Sequence, residues 1–335
     1  MKKIIKNMGL LLLVSFALVG CGLTDDEVDN DGDYQDIEEE STESVEDDVE
    51  SFETIQVVAT FSIIADMIEQ VGGDFVEVRT IVPIGDNPED HEVLPSDIMA
   101  VTNADITFYN GLQLETEENW FEDMMVAAEQ VAGVDFFAVA DGIEDFGIEI
   151  LYLQTEGRLY YPDPHVWLDL RGGIAYIKNI QNILSDFAPD HADVFAENAD
   201  VYIQKLQALH EDWEQRFAGL ADDVRIMVTS EGAFAYFANA YGLVNEFIWE
   251  INAEDEGTPE QIMRLVGILN NSNVNYLFTE TSTESHYMEQ ISAEVGIPIF
   301  GSLFSDSLSE ADGTGATYYK MMRYNLEMVY TALSD

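Results

Sequence analysis

The chain has 335 residues, 47% of them hydrophobic, with one cysteine, five histidines and a formal net charge of −53. Such a surplus of carboxylates argues strongly against partners that present a phosphate backbone or an anionic headgroup layer; it fits both a surface that draws cations and an exterior exposed to high salt. A lone cysteine excludes an intrachain disulfide framework.

Lys2, Lys3 and Lys6 precede an apolar run from Met8 to Val19 that is too short to span a bilayer comfortably. Leu18-Val19-Gly20-Cys21 follows. The pattern resembles a bacterial lipoprotein signal, with residues 1–20 removed and Cys21 lipidated as the new N-terminus. From there to residue 54 carboxylates dominate with no basic residue, so 21–54 is expected to be an acidic, disordered tether. A calcium loop over Asp25 to Asp33 lacks EF-hand spacing and the closing glutamate. Residues 1–54 account for 13 of the 53 net negative charges, leaving 40 on the body.

The body alternates strand and helix. Strands are expected over 55–60, 75–82, 105–109 and 136–140, with helices over 62–71, 95–103 and 119–131 between them. Further strands are expected at 224–229, 246–250, 274–279 and 298–303, and Thr258-Pro259-Glu260-Gln261 has the residues of a helix start. Between the two series, Phe195, Ala199, Tyr202, Leu206, Leu209, Trp213, Phe217 and Leu220 recur at steps of three or four. They mark one long helix over 190–219, on which His191 and His210 read as solvated. The fold class is therefore α/β: two βα-repeat lobes with mostly parallel sheets, 55–189 and 220–335, joined by a long rigid helix.

Ligands of open α/β sheets bind beyond the carboxyl ends of the strands. His91 follows the second strand, and His165 stands in Tyr161-Pro162-Asp163-Pro164-His165-Val166-Trp167-Leu168-Asp169. Glu231 follows the strand at 224–229, and Asp306 follows the last one. Two imidazoles and two carboxylates suit a divalent transition ion, and the absence of thiolate argues against a structural zinc cage. Singly, Glu231 also fits a charge at a helix N-terminus and Asp306 a turn, so spacing leaves the site open.

The segments Gly85…His91-Glu92…Pro95-Ser96-Asp97, Asp163-Pro164-His165-Val166-Trp167-Leu168-Asp169, Thr229-Ser230-Glu231-Gly232-Ala233-Phe234 and Phe304-Ser305-Asp306-Ser307 resemble the metal-binding lipoproteins of manganese and zinc ABC importers. The resemblance runs over about residues 55–335. It implies a metal between two lobes, held by His91, His165, Glu231 and Asp306. Zinc-type members usually have histidine where Glu231 stands, and a His-rich loop before the Asp-Pro-His motif. This chain has no histidine from 140 to 164, so it looks like the manganese branch, with Mn2+ as cargo and Zn2+ or Fe2+ as alternatives.

The resemblance further implies no enzymatic activity, delivery to an ABC permease and its ATPase, and a monomer held by lipid at the outer face of the cell membrane. A metallohydrolase using the same residues, or a surface adhesin with a structural metal, are the competing functions. One motif departs from the family. Its loop normally reads Gly-x-Asp-Pro-His-x-Tyr-Glu-Pro, whereas here Asn87-Pro88-Glu89-Asp90-His91-Glu92-Val93-Leu94-Pro95 displaces the proline and lacks the tyrosine. Asp90 or Glu92 is a candidate to adjust around the ion.

Overall fold

Strand β1 (Ile55–Ala59) is almost wholly apolar and pairs in parallel on both sides, with β2 (Val76–Thr80) and β3 (Ile106–Tyr109). β3 in turn pairs with β4 (Phe136–Ala138), giving a four-stranded parallel sheet in the order β2-β1-β3-β4. This computed structural model describes residues 54–116, 119–153, 161–251 and 256–335. The expected signal, Cys21 and nearly all of the expected tether lie outside them.

Crossover helices α1 (Ser62–Gly72), α2 (Pro95–Asn103) and α3 (Trp120–Ala127) link these strands. A short antiparallel pair, β5 (Tyr152–Leu153) with β6 (Tyr161–Pro162), precedes the Asp-Pro-His segment and was not expected from the sequence. Helix α4 (Leu170–Phe187) was also missed. Its N-terminus is capped by Asp169, whose side chain accepts from the Arg171 N–H, and Ile177, Ile180 and Leu184 form its buried face.

The long helix is present as α5 (Ala192–Ala218), about 40 Å at 1.5 Å per residue, entered through a 3-10 turn at Pro189–His191. It packs against α1, α4, α6 (Ala235–Tyr241) and α9 (Tyr318–Ser334), so it reaches elements from both ends of the chain. Asp66 of α1 accepts from the Tyr202 hydroxyl of α5 and from the Tyr318 N–H of α9, fixing three helices at one carboxylate. Neither helix histidine is freely solvated. His210 is buried with Nδ1 3.2 Å from the Tyr241 hydroxyl, and His191 stacks on Phe75. His210 falls in the apolar stripe between Leu206 and Trp213, which brings it inward despite its acidic neighbours.

The second half holds two parallel pairs, β7 (Ile226–Glu231) with β8 (Val244–Trp249) and β9 (Leu277–Glu280) with β10 (Ile299–Leu303). β7 lies against β9, and α7 (Pro259–Leu269) and α8 (His286–Val295) complete this half. Thr258 caps α7 in a capping box with Gln261, as its residues predict. The fold is thus α/β with parallel sheets and one long helix. The described residues form one compact unit, and its larger apolar core runs from β1 through α5 to α9. A smaller core of Val228, Ile248, Trp249, Leu265, Leu277 and Ile291 lies within the second half.

Candidate metal centre

The carboxyl ends of strands from both halves converge on a buried cluster of ionisable side chains. His165 leads into a 3-10 turn at Val166–Leu168, and its ring is fully buried. Asp163 Oδ1 accepts the His165 backbone N–H at 2.9 Å and lies 2.9 Å from ring Nδ1. That pairing puts the proton on Nδ1 and turns Nε2 toward the cluster, the arrangement by which a carboxylate orients a metal-binding imidazole. Trp167 packs tilted against the ring at 5.1 Å.

Glu231 ends β7 and is buried. The backbone N–H groups of Ser230 and Glu231 both donate to Glu280 Oε1, at 2.8 and 3.2 Å, so a buried carboxylate on β9 holds the end of β7. Asp306 follows β10, and its Oδ2 accepts from the hydroxyls of Ser282 and Ser305, each at 2.7 Å. Its other oxygen, Oδ1, lies 3.2 Å from His165 Nε2. One ligand atom from each of His165, Glu231 and Asp306 lies within 4.8 Å of the others. His165 Nε2 and Asp306 Oδ1 are buried and make no hydrogen bond of acceptable geometry. Buried polar atoms are rarely left so unless something else meets them.

The electrostatics carry the same signature. Burial lifts Glu231 well above the usual carboxylate range, and the Glu89 and Asp306 charges add to it while His165 opposes. Burial also acts to raise Asp306, but His165 and the hydroxyls of Ser305 and Ser282 outweigh it and hold Asp306 low. Burial works against a charged His165, yet Asp163 and Asp306 outweigh it and lift the imidazole well above its usual range. Two carboxylates this close repel by roughly 3–4 kcal/mol at an effective dielectric of about 20, a cost a divalent cation reverses.

The structure brings together three of the four residues expected from the sequence. His91 is not among them. Its Nε2 lies 3.1 Å from Asp97 Oδ2, and its ring meets the Trp120 indole edge-on at 5.2 Å. Asp97 is itself occupied in closing the start of α2, where it accepts the Leu94 N–H. The side chain that reaches toward the cluster from this loop is Glu89, whose Oε1 lies 4.0 Å from His165 Nε2 and whose side chain is 14% exposed. Asp90 and Glu92 are exposed rather than adjusted around the cluster. A signal for Glu89 was available: read without a gap from Gly85, the residue directly after the proline, where the family loop has histidine, is Glu89. Asp163, Glu280, Ser282 and Ser305, which orient the cluster, were also not singled out.

Two surface cavities among the described residues, about 330 Å³ beside β1, β2 and α2 and about 280 Å³ between α4 and α5, are lined by other residues. Among the described residues no helix is long and apolar enough to cross a membrane.

The family model for the periplasmic component A of zinc-uptake complexes, ZnuA, matches residues 57–332. The manganese ABC transporter substrate-binding lipoprotein PsaA of Streptococcus mitis is 40% identical over 288 residues, covering 86% of this chain and 92% of the relative. The metal ABC transporter substrate-binding lipoprotein FimA of Streptococcus parasanguinis is 40% identical over 282 residues, covering 84% and 90%. Among solved structures, the Mn-bound periplasmic metal binding protein of Candidatus Liberibacter asiaticus superposes with a TM-score of 0.73 at 26% identity. It covers 84% of this chain and all of that one.

Proposed function

The chain belongs to the family of the periplasmic zinc-uptake component A, and on that premise we propose that it captures Mn2+ outside the cytoplasm and hands it to an ABC permease with its ATPase. The observation that carries this reading is the buried, oriented Nε2 of His165 facing Asp306 and Glu231 with no hydrogen bond of its own. A donor set with one imidazole and several carboxylates suits manganese, whereas imidazole-rich sets suit zinc. Zn2+ and Fe2+ also bind such a site, because raw affinity follows the metal series more than physiological choice.

No bond is made or broken in this function. The relatives bear the names of substrate-binding components rather than enzymes, and the protein supplies coordination alone. A metallohydrolase would need an open position for water and a base beside it, and the cluster buries its donor atoms instead. The lobes of this reading span 55–189 and 220–335, with the helix over 190–219 between them, and the protein works as a monomer. Cys21 carries the lipid that holds it at the outer face of the membrane, with 21–54 as its tether.

Two measurements test these assignments. His165→Ala is expected to lower Mn2+ affinity by more than about 100-fold in titration calorimetry, with a circular dichroism spectrum like that of the unaltered protein. Unchanged affinity overturns the site. Cys21→Ser is expected to release the protein from the membrane fraction and to abolish lipid labelling.

A further inference from the structure

We propose that the fourth protein donor to the captured ion is the Glu89 carboxylate, and that His91 is not a ligand. This rests on the reading of the cluster as a cation-capture centre and specifies its coordination chemistry: one imidazole and three carboxylates, in place of two of each.

Ligand atoms bound to one ion at about 2.0–2.2 Å stand about 3 to 4.4 Å apart. The separation of Glu89 Oε1 from His165 Nε2, 4.0 Å, falls in that interval, as does the 3.2 Å between Nε2 and Asp306 Oδ1. The backbone beside Glu89 is fixed on both sides. Its own N–H donates to Asn87 Oδ1 at 3.0 Å, and the preceding carbonyl, of Pro88, accepts from Trp120 Nε1 at 3.2 Å. Gly85, at φ +95°, starts this turn in a region glycine takes without strain, and its N–H donates to Ser307 Oγ at 2.8 Å, one residue from Asp306. The loop is therefore pinned at Gly85 and Pro88 in a course that sends Glu89 inward.

His91 is committed elsewhere. Its Nε2 is turned to Asp97, and the Trp120 ring it packs against is the ring that holds the Pro88 carbonyl. Bringing His91 into the cluster would break its contacts with Asp97 and Trp120. Replacing an imidazole by a carboxylate adds one negative charge and one hard donor. The site then accepts a divalent ion with a net charge of −1, and its preference moves from zinc toward manganese.

The experiment uses the full chain loaded with Mn2+ after its endogenous metal is removed. Electron spin-echo modulation of bound Mn2+ is expected to report a single imidazole nitrogen; two overturn the proposal. In calorimetry, Glu89→Ala is expected to weaken Mn2+ binding by more than about 100-fold and His91→Phe by less than about 10-fold. Equal losses, or the reverse order, overturn it. Glu89→Gln keeps the side-chain shape, so a loss shared by Gln and Ala separates missing charge from misfolding. Glu89→His is expected to shift the Zn2+ to Mn2+ affinity ratio toward zinc by about 10-fold or more; an unchanged ratio counts against the assignment. If the unaltered protein binds neither Mn2+ nor Zn2+, the capture function itself fails. If it binds and only the His91 variant loses affinity, capture stands and the donor assignment falls.

Discussion

The turn that carries His165 and the loop that carries Glu89 face the same cluster but are built differently. Asp163-Pro164-His165 is buried throughout, and its backbone is held by a chain of buried hydrogen bonds. The Pro164 carbonyl accepts from Asn110 Nδ2, Asn110 Oδ1 accepts from the Tyr176 hydroxyl, and the Asn110 N–H donates to the buried Glu115. The loop from Pro83 to Leu94 is exposed along most of its length and is held by isolated bonds at Gly85 and Pro88. One wall of the site is thus fixed by several buried hydrogen bonds. The other is a surface loop whose motif differs from the family's, and it brings Glu89 Oε1 to 4.0 Å from His165 Nε2.

The comparison can be sharpened by removing support from each side. The largest effect is expected behind the rigid turn. Burial pushes Glu115 up to about 7, against an ordinary 4.5, although three donors from Thr60, Asn110 and Gly111 oppose the shift. Between those values the folded protein keeps a proton that the unfolded chain has lost, so stability falls as pH rises across that window and levels off above it. Glu115→Gln does not titrate and is expected to lessen the decline by up to about 3 kcal/mol when denaturant midpoints are followed from pH 4.5 to 7.5, leaving the share of Glu280, which burial also pushes up to about 7. A decline as steep in the variant as in the unaltered protein would assign it to other groups.

Next in size is the orientation of the imidazole. Asp163→Asn keeps an acceptor near Nδ1 but loses the charge, and Mn2+ affinity is expected to drop by about 10- to 100-fold at neutral pH. Smallest is the loop anchor. Trp120→Phe removes the N–H that holds the Pro88 carbonyl while keeping a ring beside His91, and a loss of less than about 10-fold is expected in the same titration. A larger loss from Trp120→Phe than from Asp163→Asn would invert the contrast between the two walls.

What was legible in the sequence follows the same division. The parallel strands and the long helix are written in hydrophobic periodicity, and His165, Glu231 and Asp306 stand in intact segments at strand ends. Helix α4 and the β5–β6 pair were missed, the first because its apolar positions run on directly from the Asp-Pro-His segment, the second because two-residue strands carry no period. Glu89 was overlooked because histidine is rare in this chain, and one stood two residues away. Residue type drew attention where position after Pro88 decided geometry. Read as a step of the apolar stripe rather than by its acidic neighbours, His210 would have been placed inside.

Trp167 lies in the same turn as His165, yet its indole N–H donates to the Ser305 carbonyl, next to Asp306, at 2.8 Å. Its own carbonyl accepts from the Tyr318 hydroxyl at the start of α9. A single side chain therefore acts as a strut between segments 138 residues apart in the chain. A force on one of these two walls reaches the other through one ring, without passing through either sheet. The loop from Pro83 to Leu94 is tied to the Asp306 segment by the Gly85 N–H to Ser307 Oγ bond instead, with most of its length exposed, so breathing of the pocket falls to that loop.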